Sequence, residues 1–301
     1  MRVSTSFLAA SIAALLGLSV TAQAVPVTGL AGSLSNGTFL YSFDTATPGT
    51  ASALRGITGL QAGEGVLGID YRPANGVLYG LGNTGRLYTI DAGTGVATLA
   101  SILTGATLSS GAIRFDIAFN PTVDRLRVVS DDGQNLRIDV DTGAVTVDTR
   151  LAYAAGDPNA GRSPGVTAAA YTNQFAGATT TTLYDLDGNL LAIQNPPNNG
   201  TLNTVGPLGV SNGVPLPVSF DIDAVTNSAY AASASSFYQV NLTTGAATLV
   251  GTLAVRGDVG TGQNTTDFAL APTAVPEPMS FALLGTGLAG LGMVRRRRKS
   301  T

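Results

Sequence analysis

The chain predicts an all-β fold, a β-propeller of five four-stranded blades closed by pairing of its N- and C-terminal segments. Three observations carry this expectation. Gly (38 of 301 residues) and Thr are abundant, and apolar residues fall in short alternating runs with no long helical period over 25–273, a pattern of short strands and tight turns. A unit of four strand-like runs recurs with a period of roughly 46 to 52 residues, in the range of propeller blades. The two ends also complement each other, because an incomplete first unit lacks a run that stands near the C-terminus.

The incomplete unit spans 27–57, with 38–44 as its third run. The first whole unit holds 67–82, 85–95 and 96–99; the second holds 115–121, 124–130, 135–143 and 144–147. A degenerate third copy contains 166–173, 181–188 and 200–205, and the fourth contains 218–223, 228–232, 236–245 and 246–250. The run missing from the first unit is 267–272. A C-terminal strand that completes an N-terminal blade closes a ring without a bare edge; the rival is an open stack of sheets. The hairpin signal is an alternating run ending in Asp or Asn, then Thr-Gly, at 91–95, 139–143 and 241–245. Asp or Asn bonds its own backbone in such a turn, and Gly supplies positive φ.

Both termini stand apart from the repeat. Arg2, an apolar run over 7–20 and Ala22-Gln23-Ala24 have the form of a secretory signal peptide cleaved after Ala24. The expected organisation is a signal peptide over 1–24, a propeller over 25–273 and a C-terminal segment over 274–301. In that segment Pro276 and Pro278 hold Glu277 extended. An apolar, Gly-rich stretch over 279–294 follows, then Arg295, Arg296, Arg297, Arg298 and Lys299. The stretch is short for a transmembrane helix, so it predicts transient membrane association. The cations stay on the cytoplasmic side while the domain lies outside. A plain tail anchor is the alternative.

Six of the 16 basic and one of the 19 acidic residues lie in these termini, leaving 10 and 18 between them and a net charge near −8. An acidic domain disfavours a nucleic-acid partner, which needs cations to displace phosphate counterions. There is no Cys, His or Trp, and Lys299 is the only Lys. Disulfides, Ser-His-Asp and Cys-His catalysis, His- or thiolate-bound zinc and Schiff-base chemistry are excluded. Carboxylates, Tyr, Arg and hydroxyls remain. No catalytic residue, no metal-ligand set and no resident cofactor is assigned; calcium is the metal these residue types would suit.

The Pro276-Glu277-Pro278, apolar and basic series closely resembles the PEP-CTERM sorting signal of Gram-negative bacteria. The resemblance covers about the last 27 residues. It implies recognition by an exosortase-type transpeptidase, cleavage near Pro276, Glu277 and Pro278, and delivery to the cell surface or an exopolysaccharide matrix. The stretches 68–73, 78–82, 120–131, 134–137, 183–187, 194–198 and 200–206 resemble the domain-of-unknown-function family 4394 over roughly residues 27–272. That resemblance implies a propeller-like fold and no known substrate.

Within the domain, first-run aspartates recur at Asp70, Asp116, Asp221 and Asp267. First strands line a propeller channel, so these carboxylates are expected near one mouth, as a cation or polar-ligand site or as caps on backbone N–H groups between blades. Asp185-Leu186-Asp187-Gly188-Asn189 has a faint calcium-loop pattern and reads first as a turn, as does Asp131-Asp132-Gly133. Glu64, the only Glu before the C-terminal segment, is expected in a solvated loop. Arg125, Arg127 and Arg137 are expected to bridge Asp124 or Asp139 at the surface, with a small anionic-sugar patch as the alternative, and 195–200 to form a rigid exposed connector, with a contact site as the alternative. The leading functional expectation is a non-enzymatic binding or structural propeller at the cell surface or in an exopolysaccharide matrix. The alternative is a carboxylate-dependent polysaccharide hydrolase or lyase assisted by calcium.

Overall fold

Alternating apolar residues, broken every few positions by Gly, Asn or Asp, fold into 21 strands among the described residues, in five sheets that are antiparallel but for one short parallel pairing, arranged in a ring as a five-bladed β-propeller. The computed structural model describes residues 24–33, 37–210, 219–255 and 265–272. The first blade holds β1 (Pro26–Ser33), β2 (Gly37–Asp44) and β3 (Arg55–Gly56); the second holds β4 (Val66–Arg72), β5 (Val77–Gly82), β6 (Arg86–Ile90) and β7 (Ala97–Ile102). The third comprises β8 (Phe115–Asn120), β9 (Arg125–Ser130), β10 (Asn135–Ile138) and β11 (Val145–Val147). The fourth adds β12 (Ala152–Tyr153) to β13 (Val166–Tyr171), β14 (Leu183–Asp187), β15 (Leu190–Gln194) and β16 (Thr201–Pro207). The fifth is β17 (Ser219–Ile222), β18 (Ala229–Ser233), β19 (Ser236–Val240) and β20 (Ala247–Thr252), and β21 (Thr265–Leu270) returns to the first.

Ring closure follows the sequence expectation. β21 pairs antiparallel with β1, Val27 opposite Leu270 and Leu30 opposite Asp267. The Tyr41 hydroxyl and Thr265 Oγ1 meet at 2.6 Å across the seam. Gly29 is required here, because a Cβ would overlap the Tyr41 ring. The core is divided among the gaps between blades. Tyr41, Phe43, Tyr230, Phe237 and Phe268 fill the gap between the fifth and first; Leu81, Leu87, Phe119 and Leu126 fill that between the second and third.

Two details depart from the expected pattern. The degenerate third copy contains a further strand, β15, and its blade has five strands because β12 pairs parallel with β16. The reason is a clasp used throughout the ring: chain leaving one blade runs beside the last hairpin of the next. Thr58 bridges Val96 and Thr104 bridges Ala144 in parallel fashion, and Ala247 N donates to Leu208 O at 2.8 Å. In the fourth blade the same contact extends over two residue pairs and becomes a strand.

Candidate functional site

The innermost strands β4, β8, β13, β17 and β21 stand side by side around the axis, each with one edge unpaired by its own sheet. Unpaired edge N–H groups need acceptors, and the four repeated aspartates supply them. Asp70 Oδ2 accepts from Phe119 N at 2.6 Å, Asp116 Oδ2 from Ala169 N at 2.6 Å, Asp221 Oδ2 from Leu270 N at 2.7 Å and Asp267 Oδ2 from Ile69 N at 2.7 Å. Every bond reaches the next blade of the ring. The hydrogen-bond register sets them at two levels. Asp70 and Asp221 occupy positions that are Ala118, Ala170 and Ala269 in the other innermost strands. Asp116 and Asp267 lie two residues earlier, level with Gly68 and Ser219, whose Oγ donates to Asp267 Oδ1 at 2.9 Å.

All four are buried. Burial, and next the charge of Asp221, pushes the Asp70 carboxyl well above the usual carboxylate range; burial and the charge of Asp267 do the same to Asp116. Burial also raises Asp221 and Asp267 to about 7, against the backbone hydrogen bonds that hold them down. Asp70 and Asp221 share a small cavity of about 10 Å³ with Tyr71, Gln174, Leu270 and Pro272 at the end of the channel where the innermost strands emerge. The Gln174 residue is 8 % exposed, and both its amide atoms are buried without a hydrogen-bond partner. Sequence reasoning missed Gln174: it lies in the loop after β13, outside the repeat.

The other candidates differ from expectation in informative ways. Glu64 is not solvated. Its side chain is fully covered, accepting from Tyr88 Oη at 2.5 Å and from the Thr84 hydroxyl. Arg125 bridges Asp139 at 3.1 Å as expected. Arg127 is instead a buried residue, donating to Asp148 at 2.6 Å, Asn135 at 2.7 Å and Asn198 at 2.8 Å, and Arg137 also pairs with Asp148. Asp124 is taken by Arg72 at 2.6 Å. Asp185 and Asp187 lie within β14 rather than in a turn, and both are buried. Asp187 accepts from Tyr153 Oη at 2.5 Å, Gly165 N at 3.0 Å and the Arg162 guanidinium, whereas Asp185 has no hydrogen-bond partner on either oxygen. Asp131-Asp132-Gly133 is the expected β9–β10 turn, with Gly133 at φ 87°. The connector at 195–200 is largely exposed.

Ala24 is exposed, next to the start of β1. Ala22 and the sorting residues Pro276, Glu277, Pro278, Arg295, Arg296, Arg297 and Arg298 lie outside the described residues. Among the described residues, no helix is long and apolar enough to cross a membrane, and no group of three Asp or Glu side chains is arranged to hold a metal ion.

A family model described as a domain of unknown function (DUF4394) matches residues 39–269, from the middle of β2 to the closing strand. The chain belongs to this family. The matched span takes in the four stapling aspartates, the Arg127 cluster and the β12 clasp. No curated protein matches the chain significantly.

Proposed function

We propose that this chain is a non-enzymatic, exported propeller that binds extracellular polysaccharide. One observation carries the reading: the repeated inner-strand aspartates, with Asp148, Asp187 and Glu64, are committed to holding the fold. Asp70, Asp116, Asp221 and Asp267 accept backbone N–H groups between blades, Asp148 and Asp187 are ion-paired, and Glu64 is covered by Thr84 and Tyr88. A glycosidase needs two carboxyls flanking an open cleft. An open cleft of about 580 Å³ beside the second blade is lined by Tyr71, Ile90, Thr89, Thr94, Thr98 and a single carboxylate, Asp91. Hydroxyls around an aromatic ring suit a neutral sugar chain.

Affinity electrophoresis through gels containing dextran, mannan or soluble β-glucan tests this. Retardation by at least one of them is expected, and it is expected to vanish in Thr98→Arg, which blocks the cleft, with melting unchanged. Equal mobility in all gels would count against a polysaccharide ligand. Delivery is proposed on the sequence of the two termini. The surface-associated protein is expected to begin at Val25 and to end near Pro276, Glu277 and Pro278. Intact mass spectrometry checks it, and a mature species that keeps Arg295, Arg296, Arg297 and Arg298 would refute the sorting reading.

A further inference from the structure

We propose that the channel-end cavity lined by Asp70, Asp221 and Gln174 binds one hard divalent cation, with calcium as the fitting metal. The inference is independent of any polysaccharide ligand.

The Gln174 amide comes first. A buried primary amide with neither oxygen nor nitrogen bonded is costly, and here the loop does not let it swing out. Asn173 and Asn227, both at positive φ, grip each other: Asn173 N donates to Asn227 Oδ1 at 2.8 Å, and Asn227 Nδ2 donates to Asn173 Oδ1 at 2.9 Å. The loops after β13 and β17 are thereby pinned together, with Gln174 held over the cavity.

Charge is the second consideration. Asp70 and Asp221 line the same cavity and no Arg lines it, so two carboxyl groups share it without a counter-charge. A single divalent ion neutralises both. Each carboxylate is fixed by the backbone N–H it accepts from the next blade, and each oxygen that accepts one such bond keeps a second lone pair. The donor set is two carboxylates and one amide oxygen, all hard ligands, which favours calcium or magnesium over softer metals. A cavity of about 10 Å³ admits about one water-sized sphere, enough for one ion and too little for an organic ligand. The other pair is different. Asp267 accepts a side-chain donor, Ser219 Oγ, besides Ile69 N and Phe268 N, whereas Asp221 accepts from the backbone, Leu270 N and Ile222 N.

The full chain, freed of metal by chelation, is titrated with calcium and with magnesium by calorimetry, and with terbium under tyrosine excitation. Tyr71 lines the cavity, and the chain has no Trp, so terbium luminescence reports the site. One equivalent of calcium, a raised Tm in excess calcium, and luminescence that calcium displaces and Tyr71→Phe diminishes are the expected results. Gln174→Leu is expected to weaken binding roughly tenfold or more and Asp221→Asn to abolish it, while Asp116→Asn keeps the stoichiometry. Absence of calcium and magnesium binding in the parent chain overturns the proposal. So does calcium affinity left unchanged by Gln174→Leu, which keeps the decision open to experiment even if Asp221→Asn does not fold.

Discussion

A carboxyl group buried without a donor is held in its neutral form, and Asp185 is in that position. Burial raises it to about 8, against the pull of the Arg127 charge. In the unfolded chain an Asp ionises near pH 4. Between about pH 4 and about pH 8 the unfolded chain loses this proton and the folded chain keeps it. Stability is therefore full below that window and falls as pH rises through it, by up to about 1.4 kcal/mol per pH unit for this group; Asp221 and Asp267 act with the same sign. Asp185→Asn is expected to leave Tm nearly unchanged at pH 4, raise it at pH 8 and flatten the slope between, as read from melting curves across pH. An unaltered slope would show that Asp185 is ionised in the fold. The repeat made Asp70, Asp116, Asp221 and Asp267 legible as a set, and capping between blades was one of their two readings. The burial of Asp185, Glu64 and Arg127 was not legible. Each is covered by residues far away in sequence, such as Asn198 over Arg127, and no local pattern records that.

The hairpin signal carried more than a turn. Gly143 has φ 75°, and a Cβ on it would overlap the Ile102 carbonyl of the preceding blade. The residue serves a left-handed turn and a blade-to-blade contact at once, and the same pair of demands falls on Gly95 against Gly56 and Gly245 against Gly206. Gly143→Ala is expected to destabilise by more than about 2 kcal/mol, since the strain of positive φ alone reaches roughly 1–2 kcal/mol; urea unfolding measures it. A cost below 1 kcal/mol would mean that the clasp can slide. Strands β6, β10 and β19 were readable because an alternating run closed by Asp91, by Asp139 or by Asn241 marks them. β12 was not, because two residues in parallel pairing carry no period, and β15 was hidden by Leu190-Leu191-Ala192-Ile193, a run without alternation.

The ring is closed by one strand with one large anchor. Phe268 is 1 % exposed and meets Phe237 at 5.6 Å, ring centre to ring centre. Phe268→Ala is expected to cost about 3–5 kcal/mol and to unseat β21 from β1. Hydrogen exchange reports this as early loss of protection on both sides of the seam; loss confined to β21 would show that the first blade is stable alone. Closure was legible from the sequence because the incomplete first unit and the orphan run at 267–272 have no other partner. The same seam orders events in time. In a chain that emerges N-terminus first, β1 waits with an open edge until almost everything else has passed, and an open edge invites pairing with the wrong neighbour. Gly29 and Gly32 make β1 a poor template for such pairing. The strand that must wait longest is thus poorly equipped to start an aggregate.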